Sequence, residues 1–365
     1  MPQPTYFDEP EQQPQPANHT VVRWVAKLFP WLMVAALAAV AVMPSPYLIE
    51  SPGPVFNVLG DDGSSEVITV SGTKTYPVDG ALDLLTVNLE GGPGQTAKWY
   101  EAVLAMMNPS MAVVPVDEMY PKNVSTTQVE QSNTAMMQDS QSSATATALR
   151  ALGYRFGTLV YVAGITKGSP ADGVLKPDDV IEFVNGKSVT TFDELRAMVQ
   201  KSKGKAITVS YLRNGKTSSV ALTPKQIDGA WRIGVLIGNH YKFPINVKLS
   251  LSNVGGPSGG MMFALGIYDK LTPGSLTGGE IIAGTGTIDD NGVVGEIGGI
   301  RQKMFGAVRG GAKFFLAPKG NCNEVVGHVP NGLQVVKVSN FSQALAAVKQ
   351  IGTRHNVSGL PTCTK

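Results

Sequence analysis

Two short stretches, Gly255-Gly256-Pro257-Ser258-Gly259-Gly260 and Ile297-Gly298-Gly299-Ile300-Arg301-Gln302-Lys303, decide how this chain is read. Met261, Met262, Leu265, Ile267 and Tyr268 recur at helical spacing beyond the first, which therefore delivers a serine to a helix start. Backbone N–H groups at such a start lack intrahelical partners and can hold a developing oxyanion. The second stretch is a Gly-rich turn opening another helix, with Lys303 one turn in. On a helical wheel Ile300, Met304, Ala307 and Val308 share a face, Lys303 sits at its margin beside Ala307, and Gln302 and Arg309 point away. A lysine half-sunk among apolar neighbours loses hydration, so its pKa falls and its neutral amine can take a proton. Ser258 and Lys303 are thus a candidate Ser-Lys dyad. Plainer readings stand beside it: the serine as a helix cap, the lysine as part of a solvated Arg-Gln-Lys face. Arg301 occupies the other margin of the wheel, so periodicity alone does not single out Lys303.

Further blocks extend the pattern: Ala283-Gly284-Thr285-Gly286-Thr287-Ile288, then Val294 to Lys303, then Gly310-Gly311-Ala312-Lys313-Phe314-Phe315-Leu316-Ala317-Pro318. In order and spacing, residues 230–350 resemble the proteolytic domain of the Lon proteases. The resemblance implies Ser258 as nucleophile, Lys303 as general base and Thr285 as the hydroxyl that orients the lysine. It also implies a ring-shaped homo-oligomer, a hexamer. Two positions depart from the family pattern: Gly255 stands where an acid usually precedes the serine, and Thr287 where a glutamate follows the threonine. No Gly-x-x-x-x-Gly-Lys-Ser/Thr pattern occurs, so the chain brings no Lon-type ATPase motor.

Residues 145–226 form a second unit. Gly168-Ser169-Pro170-Ala171 and Lys176-Pro177-Asp178-Asp179-Val180-Ile181 lie among short strands, and Arg213-Asn214-Gly215-Lys216 marks a hairpin. This order resembles a bacterial-type PDZ domain, which implies capture of a peptide C-terminus by strand addition. The carboxylate loop is expected at Gly153, Tyr154, Arg155 and Phe156, just before the strand that starts at Thr158. A small β domain acting as a spacer is the plainer alternative.

Residues 1–24 are rich in Pro and Gln at their start and read as a disordered tail. Leu28 to Ile49 is a 22-residue stretch without charge, about 33 Å long as a helix and enough to span a bilayer. Arg23 and Lys27 precede it and Glu50, Asp61 and Asp62 follow. Residues 25–49 are therefore expected to anchor the chain in the cell membrane, N-terminus cytoplasmic and the rest extracytoplasmic. A cleaved signal peptide is the alternative. Residues 50–144 form a β/α segment, read as strands at Glu66–Ser71 and Leu82–Leu89, a helix at Gln95–Met107, a polar stretch, and an Ala-rich helix at Ser142–Leu152. Its strands, with those around Ile233–Ile237 and Asn246–Leu251, are expected to share the body of the proteolytic domain, the PDZ-like unit being an insertion. Residues 351–365 are a tail.

The formal charge of +2 and the lack of a basic run exclude a nucleic-acid partner. Cys322 and Cys363 are the two cysteines; in an exported chain they read as a disulfide, with free thiols as the alternative. His240, His328 and His355 show no ligand spacing, so no metal is expected, and no cofactor. The fold class is α+β: a transmembrane helix, then a PDZ-like β-rich domain inserted before or into a Lon-type α/β proteolytic domain. The function expected is membrane-anchored, ATP-independent serine endopeptidase activity on unfolded or envelope proteins. A non-enzymatic PDZ adaptor on a degenerate Lon-like body is the second reading.

Overall fold

The computed structural model describes residues 19–63, 65–92, 96–120, 125–227, 229–251 and 254–364. Helix α1 (His19–Ala41) leads through Pro44 and Pro46 into strand β1 (Tyr47–Asn57). This corrects the expected span. Two prolines two residues apart remove N–H donors that a further turn would need, where the single Pro30 inside α1 removes only one, and Tyr47 to Ile49 pair with Val113 to Pro115 in a sheet instead. The uncharged helical part is residues 28–41, roughly 21 Å long and short of the roughly 30 Å hydrocarbon layer. Among the described residues no helix is long and apolar enough to cross a membrane. Residues 19–24, expected in the disordered tail, begin α1; the remainder of that tail lies outside the described residues.

Strands β2 (Ile68–Ser71) and β3 (Ala81–Glu90), helix α2 (Trp99–Met106), strand β4 (Ala112–Pro115) and the single turn α3 (Val116–Met119) follow. The polar stretch ahead of Ser142 is largely helical. Helix α4 (Thr126–Ala151) starts at Ser125, whose Oγ accepts the Gln128 N–H at 3.2 Å while Gln128 Oε1 accepts the Ser125 N–H at 2.9 Å. That reciprocal cap, rather than apolar periodicity, marks its start. Its contribution to the core comes from Met137, Ala144 and Ala148.

The middle unit comprises β5 (Thr158–Ile165), β6 (Val180–Val184), β7 (Lys187–Ser188), α5 (Phe192–Lys201), β8 (Ile207–Arg213), β9 (Lys216–Leu222), β10 (Lys225–Ile227), β11 (Ala230–Arg232) and β12 (Val235–Tyr241). Its main sheet has the order β12-β5-β6-β8-β9. Val160, Ile181, Leu195, Ile207, Val209 and Ile233 fill its own core. Ile233 to Ile237 therefore belong here and not with the proteolytic body, because β12 pairs antiparallel with β5.

The body resumes with β13 (Asn246–Leu249), α6 (Gly260–Lys270), β14 (Ile281–Gly284), β15 (Thr287–Ile288), β16 (Val294–Gly295), α7 (Ile300–Arg309), β17 (Phe314–Pro318), α8 (Cys322–Val325), β18 (Gln334–Val338) and α9 (Phe341–Arg354). One sheet of order β18-β17-β14-β3-β1-β4 carries it. β3 pairs in parallel with β14, and β2 pairs antiparallel with β13, so the chain before the middle unit and the chain after it share one body. β17 is buried on both faces, as a central parallel strand must be. Phe314 and Leu316 face a layer holding Phe263 of α6 and Phe341 of α9, while Phe315 and Ala317 face Ile300, Met304 and Ala307 of α7. β14 ends at Gly284, so Thr285 stands where open α/β sheets place their sites, beyond the carboxyl ends of parallel strands.

Candidate active site

Ser258 sits in the turn before α6. A Cβ on Gly259 would lie 2.4 Å from Leu84 Cδ1, and one on Gly260 would lie 2.7 Å from Ser140 Oγ. Any larger side chain at either position would push the turn off β3 and α4. The turn is also held by hydrogen bonds: Ser140 Oγ donates to Pro257 O at 2.8 Å, Gly286 N–H to Ser258 O at 2.8 Å, and Met261 N–H to Gly286 O at 3.1 Å. Gly255 has no space for the acid that the resemblance leads one to seek there, since an added Cβ would be 2.9 Å from Asn133 Cβ.

Lys303 arrives from the opposite side of the sheet edge. Gly299 opens α7 in the left-handed conformation (φ 67°), and a Cβ there would meet Val87 at 2.6 Å, so glycine alone fits. Asn321, itself buried, clamps the preceding loop: its Oδ1 accepts the Ile297 N–H at 3.0 Å and its Nδ2 donates to Ile297 O at 2.8 Å. Nothing in the local sequence pattern marked this asparagine. Cys322, next in the chain, is disulfide-bonded to Cys363, which ties the C-terminal segment to α8.

The structure brings Ser258, Lys303 and Thr285 together. Lys303 Nζ lies 3.0 Å from Ser258 Oγ and 3.2 Å from Thr285 Oγ1. Thr285 Oγ1 in turn donates to Ser258 O at 3.1 Å, so its hydroxyl fixes both partners. Lys303 is 2 % exposed, more deeply buried than the helical wheel suggested. Desolvation pushes its pKa down from 10.5 to about 8, against the opposing pull of Glu50. The wheel is corrected at two further positions: Gln302, expected to point away, is buried, and Val308, expected inside, is exposed. α7 is covered on two sides, by β1 and β3 and by α8, so its buried arc is wider than one apolar stripe.

The quartet Gly153, Tyr154, Arg155 and Phe156 is not brought to a peptide groove. Tyr154 N–H donates to Leu149 O at the end of α4, and the Phe156 ring packs edge-on against Tyr241 and Phe243. Thr158 pairs with Tyr241, at the far end of β12. The groove of the middle unit runs instead between α5 and edge strand β12, about 440 Å³ in volume and lined by Leu195, Val199, Gly234, Val235 and Leu236. The turn that opens it is Ile233-Gly234, where Gly234 has φ 78° and accepts the Thr166 N–H at 2.9 Å. Gly153 to Phe156 precede β5, whereas the strand beside α5 is β12, the last of the unit. Phe192 and Ile237 also border a larger cleft of about 1030 Å³ whose opposite wall is Asp139, Ser143, Asp290 and Asn340 of the body. Among the described residues no group of three or more His, Cys, Asp or Glu side chains is placed to hold a metal ion.

Comparison with known proteins matches two segments of the chain. Residues 128–223 match the PDZ domain family and residues 240–350 match the Lon protease (S16) C-terminal proteolytic domain. A Lon protease of Rickettsia typhi is 27 % identical over 183 residues, 47 % of this chain and 23 % of that protein. A Lon protease of Neorickettsia sennetsu is 32 % identical over 104 residues, 28 % of this chain and 12 % of that protein. The chain thus spans less than a quarter of the length of these relatives. The crystal structure of a PDZ domain from a Listeria innocua SdrC-like protein is 24 % identical, covering 22 % of this chain and 92 % of that domain, at a TM-score of 0.21.

Proposed function

We propose that this chain, in which a PDZ domain is joined to a Lon-type proteolytic domain, is an ATP-independent serine endopeptidase acting on unfolded or envelope proteins. One observation carries the reading: a lysine amine 2 % exposed, its pKa pushed down to about 8, stands 3.0 Å from a serine hydroxyl. As a neutral amine, Lys303 accepts the Ser258 proton while Oγ attacks the peptide carbonyl. The ammonium then returns that proton to the leaving amine, and the acyl-enzyme is released by water through the same base. The N–H groups of Gly260 and Met261 are taken by Pro257 O and Gly286 O, so the oxyanion donors are sought at Ser258 and Gly259. Thr285 keeps Nζ directed at Oγ.

Substrate capture belongs to the α5–β12 groove. A C-terminal peptide added to the open edge of β12 places its carboxylate at the Ile233-Gly234 turn, and its upstream residues leave past Phe192 and Ile237 into the wide cleft. Attachment to a membrane through α1 is part of the same proposal. Its support is the exposed apolar side chains of Phe29, Trp31, Leu32 and Leu37, and a disulfide suited to an oxidising, extracytoplasmic compartment. A homo-oligomeric ring is proposed from the Lon likeness alone.

The test uses the full chain, incubated with an unfolded protein with and without ATP, beside Ser258→Ala and Lys303→Met. Cleavage that ignores ATP and vanishes in both variants supports the peptidase. An unmutated chain that is assembled yet cuts nothing, while still binding C-terminal peptides, returns the adaptor reading.

A further inference from the structure

The face of the sheet under α7 can be followed residue by residue. β1 and β3 pair so that Val55 lies opposite Leu85, Pro52 opposite Val87, and Glu50 opposite Leu89. Directly paired residues of antiparallel strands project to the same side. A Cβ on Gly310 would touch Val55 at 3.3 Å, one on Gly306 would meet Leu85 at 3.7 Å and Pro52 at 3.9 Å, and one on Gly299 would meet Val87. The side of β1 that carries Val55, Pro52 and Glu50 is therefore the side that α7 covers. Glu50 comes one step beyond Pro52, toward the end where α7 begins. Arg309 Nη2 donates to Pro52 O at 3.1 Å and holds the other end of the helix in this register. Lys303 is one turn into α7, and helical side chains lean toward the N-terminus. Glu50 thus lies on the side of β1 that α7 covers, toward the start of the helix, and its charge acts on Lys303 across the intervening space without an ion pair between them.

Glu50 is 7 % exposed, and among the described residues no hydrogen bond to its carboxylate is present. Burial of most of this side chain raises the cost of its charge. Its electrostatic partners come from three elements: Lys303 on α7, Glu324 on α8, and Tyr120 just after α3. β3 and β4 present Leu89 and Ala112 to it. Burial and Glu324 push the Glu50 carboxyl up and Lys303 pulls it down, while Glu50 in turn opposes the desolvation of Lys303.

We propose that Glu50, supplied by β1 far outside the proteolytic family match, is the acidic positioning residue of the Ser258–Lys303 dyad. It stabilises the ammonium that Lys303 becomes on taking the serine proton. Without it, desolvation acts unopposed and the amine binds that proton too weakly to pull it from Oγ. The proposal rests on the dyad reading but has a readout of its own.

The experiment follows the protonation of Lys303 itself by competitive acetylation and mass spectrometry between pH 6 and 11. It uses the full chain, Glu50→Gln and Glu50→Asp, alongside kcat/KM profiles for each. Removing the charge should lower the Lys303 midpoint by about half a pH unit or more, and the acid limb of kcat/KM should move with it. Glu50→Asp, with the carboxylate drawn back by one methylene, should move both by less in the same direction. Should Glu50→Gln not fold, Glu50→Asp carries the test. A Lys303 midpoint that stays put or rises overturns the proposal even if the enzyme cuts normally. A chain that never cuts but whose Lys303 midpoint falls on Glu50→Gln keeps the Glu50–Lys303 coupling and overturns the peptidase reading instead.

Discussion

Replacing Lys303 by methionine should abolish cleavage and yet stabilise the protein at neutral pH. The amine titrates near 10.5 when solvated and about 8 in the fold, a difference worth roughly 3 kcal/mol at about 1.4 kcal/mol per pH unit. Below pH 8 both folded and unfolded chains carry the ammonium, so the fold bears the whole cost of desolvating it. Between pH 8 and 10.5 the unfolded chain holds a proton that the folded one has lost, so stability rises with pH there. Above 10.5 both are neutral and the cost is gone. Methionine fills a similar volume with no charge, but it forfeits the hydrogen bonds at 3.0 and 3.2 Å to Ser258 and Thr285, about 1 kcal/mol each. The net expectation is a variant about 1 kcal/mol more stable than the parent at pH 7 and about 2 kcal/mol less stable at pH 10.5. Urea unfolding at both pH values, at one protein concentration, measures this reversal. A variant less stable by the same amount at both pH values would refute the reasoning, because it would mean the amine carries no desolvation cost in the fold.

The same depressed amine governs rate. kcat/KM should climb with pH through about 8, and a flat profile from pH 6 to 9 would remove Lys303 as the base. Asn321→Ala frees the Ile297 backbone that its side chain brackets; kcat should fall at least tenfold with KM little changed, at a stability cost of about 2 kcal/mol, and a variant with unaltered kcat would show that the loop needs no clamp. Reducing Cys322–Cys363, whose partners are 41 residues apart, should lower urea stability by about 2–4 kcal/mol, with an unchanged midpoint counting against any contribution from the tail. Gly234→Ala places a Cβ 2.0 Å from Ser169 Cβ at a left-handed position, so affinity for C-terminal peptides, read by fluorescence anisotropy, should drop while cleavage of a short unstructured peptide persists; equal affinity would move the carboxylate site elsewhere.

Several features were legible in the amino-acid order because their causes are local. Gly-Gly-Pro-Ser-Gly-Gly and Ile-Gly-Gly-Ile announce turns that open helices, and the spacing of apolar residues beyond them gives the helices themselves. The two cysteines, the hairpin at Asn214-Gly215 and the PDZ and Lon likenesses are of the same kind. Errors arose where a residue's surroundings come from distant chain. Leu28 to Ile49 reads as one apolar run, yet the helix ends at Ala41 and the last residues of the run pair with 113–115, so the run joins a helix end to a strand start. That reading also cast Glu50 as a charge flanking a bilayer.

Tertiary structure alone decided the site's electrostatics. Lys303 is buried because β1, β3 and α8 close around α7, and Glu50 is turned to the side that α7 covers only because β1 and β3 are paired in one register. Likewise the peptide groove depends on which strand ends beside α5, a matter of sheet order that no window of sequence contains. Turns and periodicities are encoded within a few residues, whereas desolvation and charge coupling depend on what lies across a few ångströms of space, and folding alone sets that.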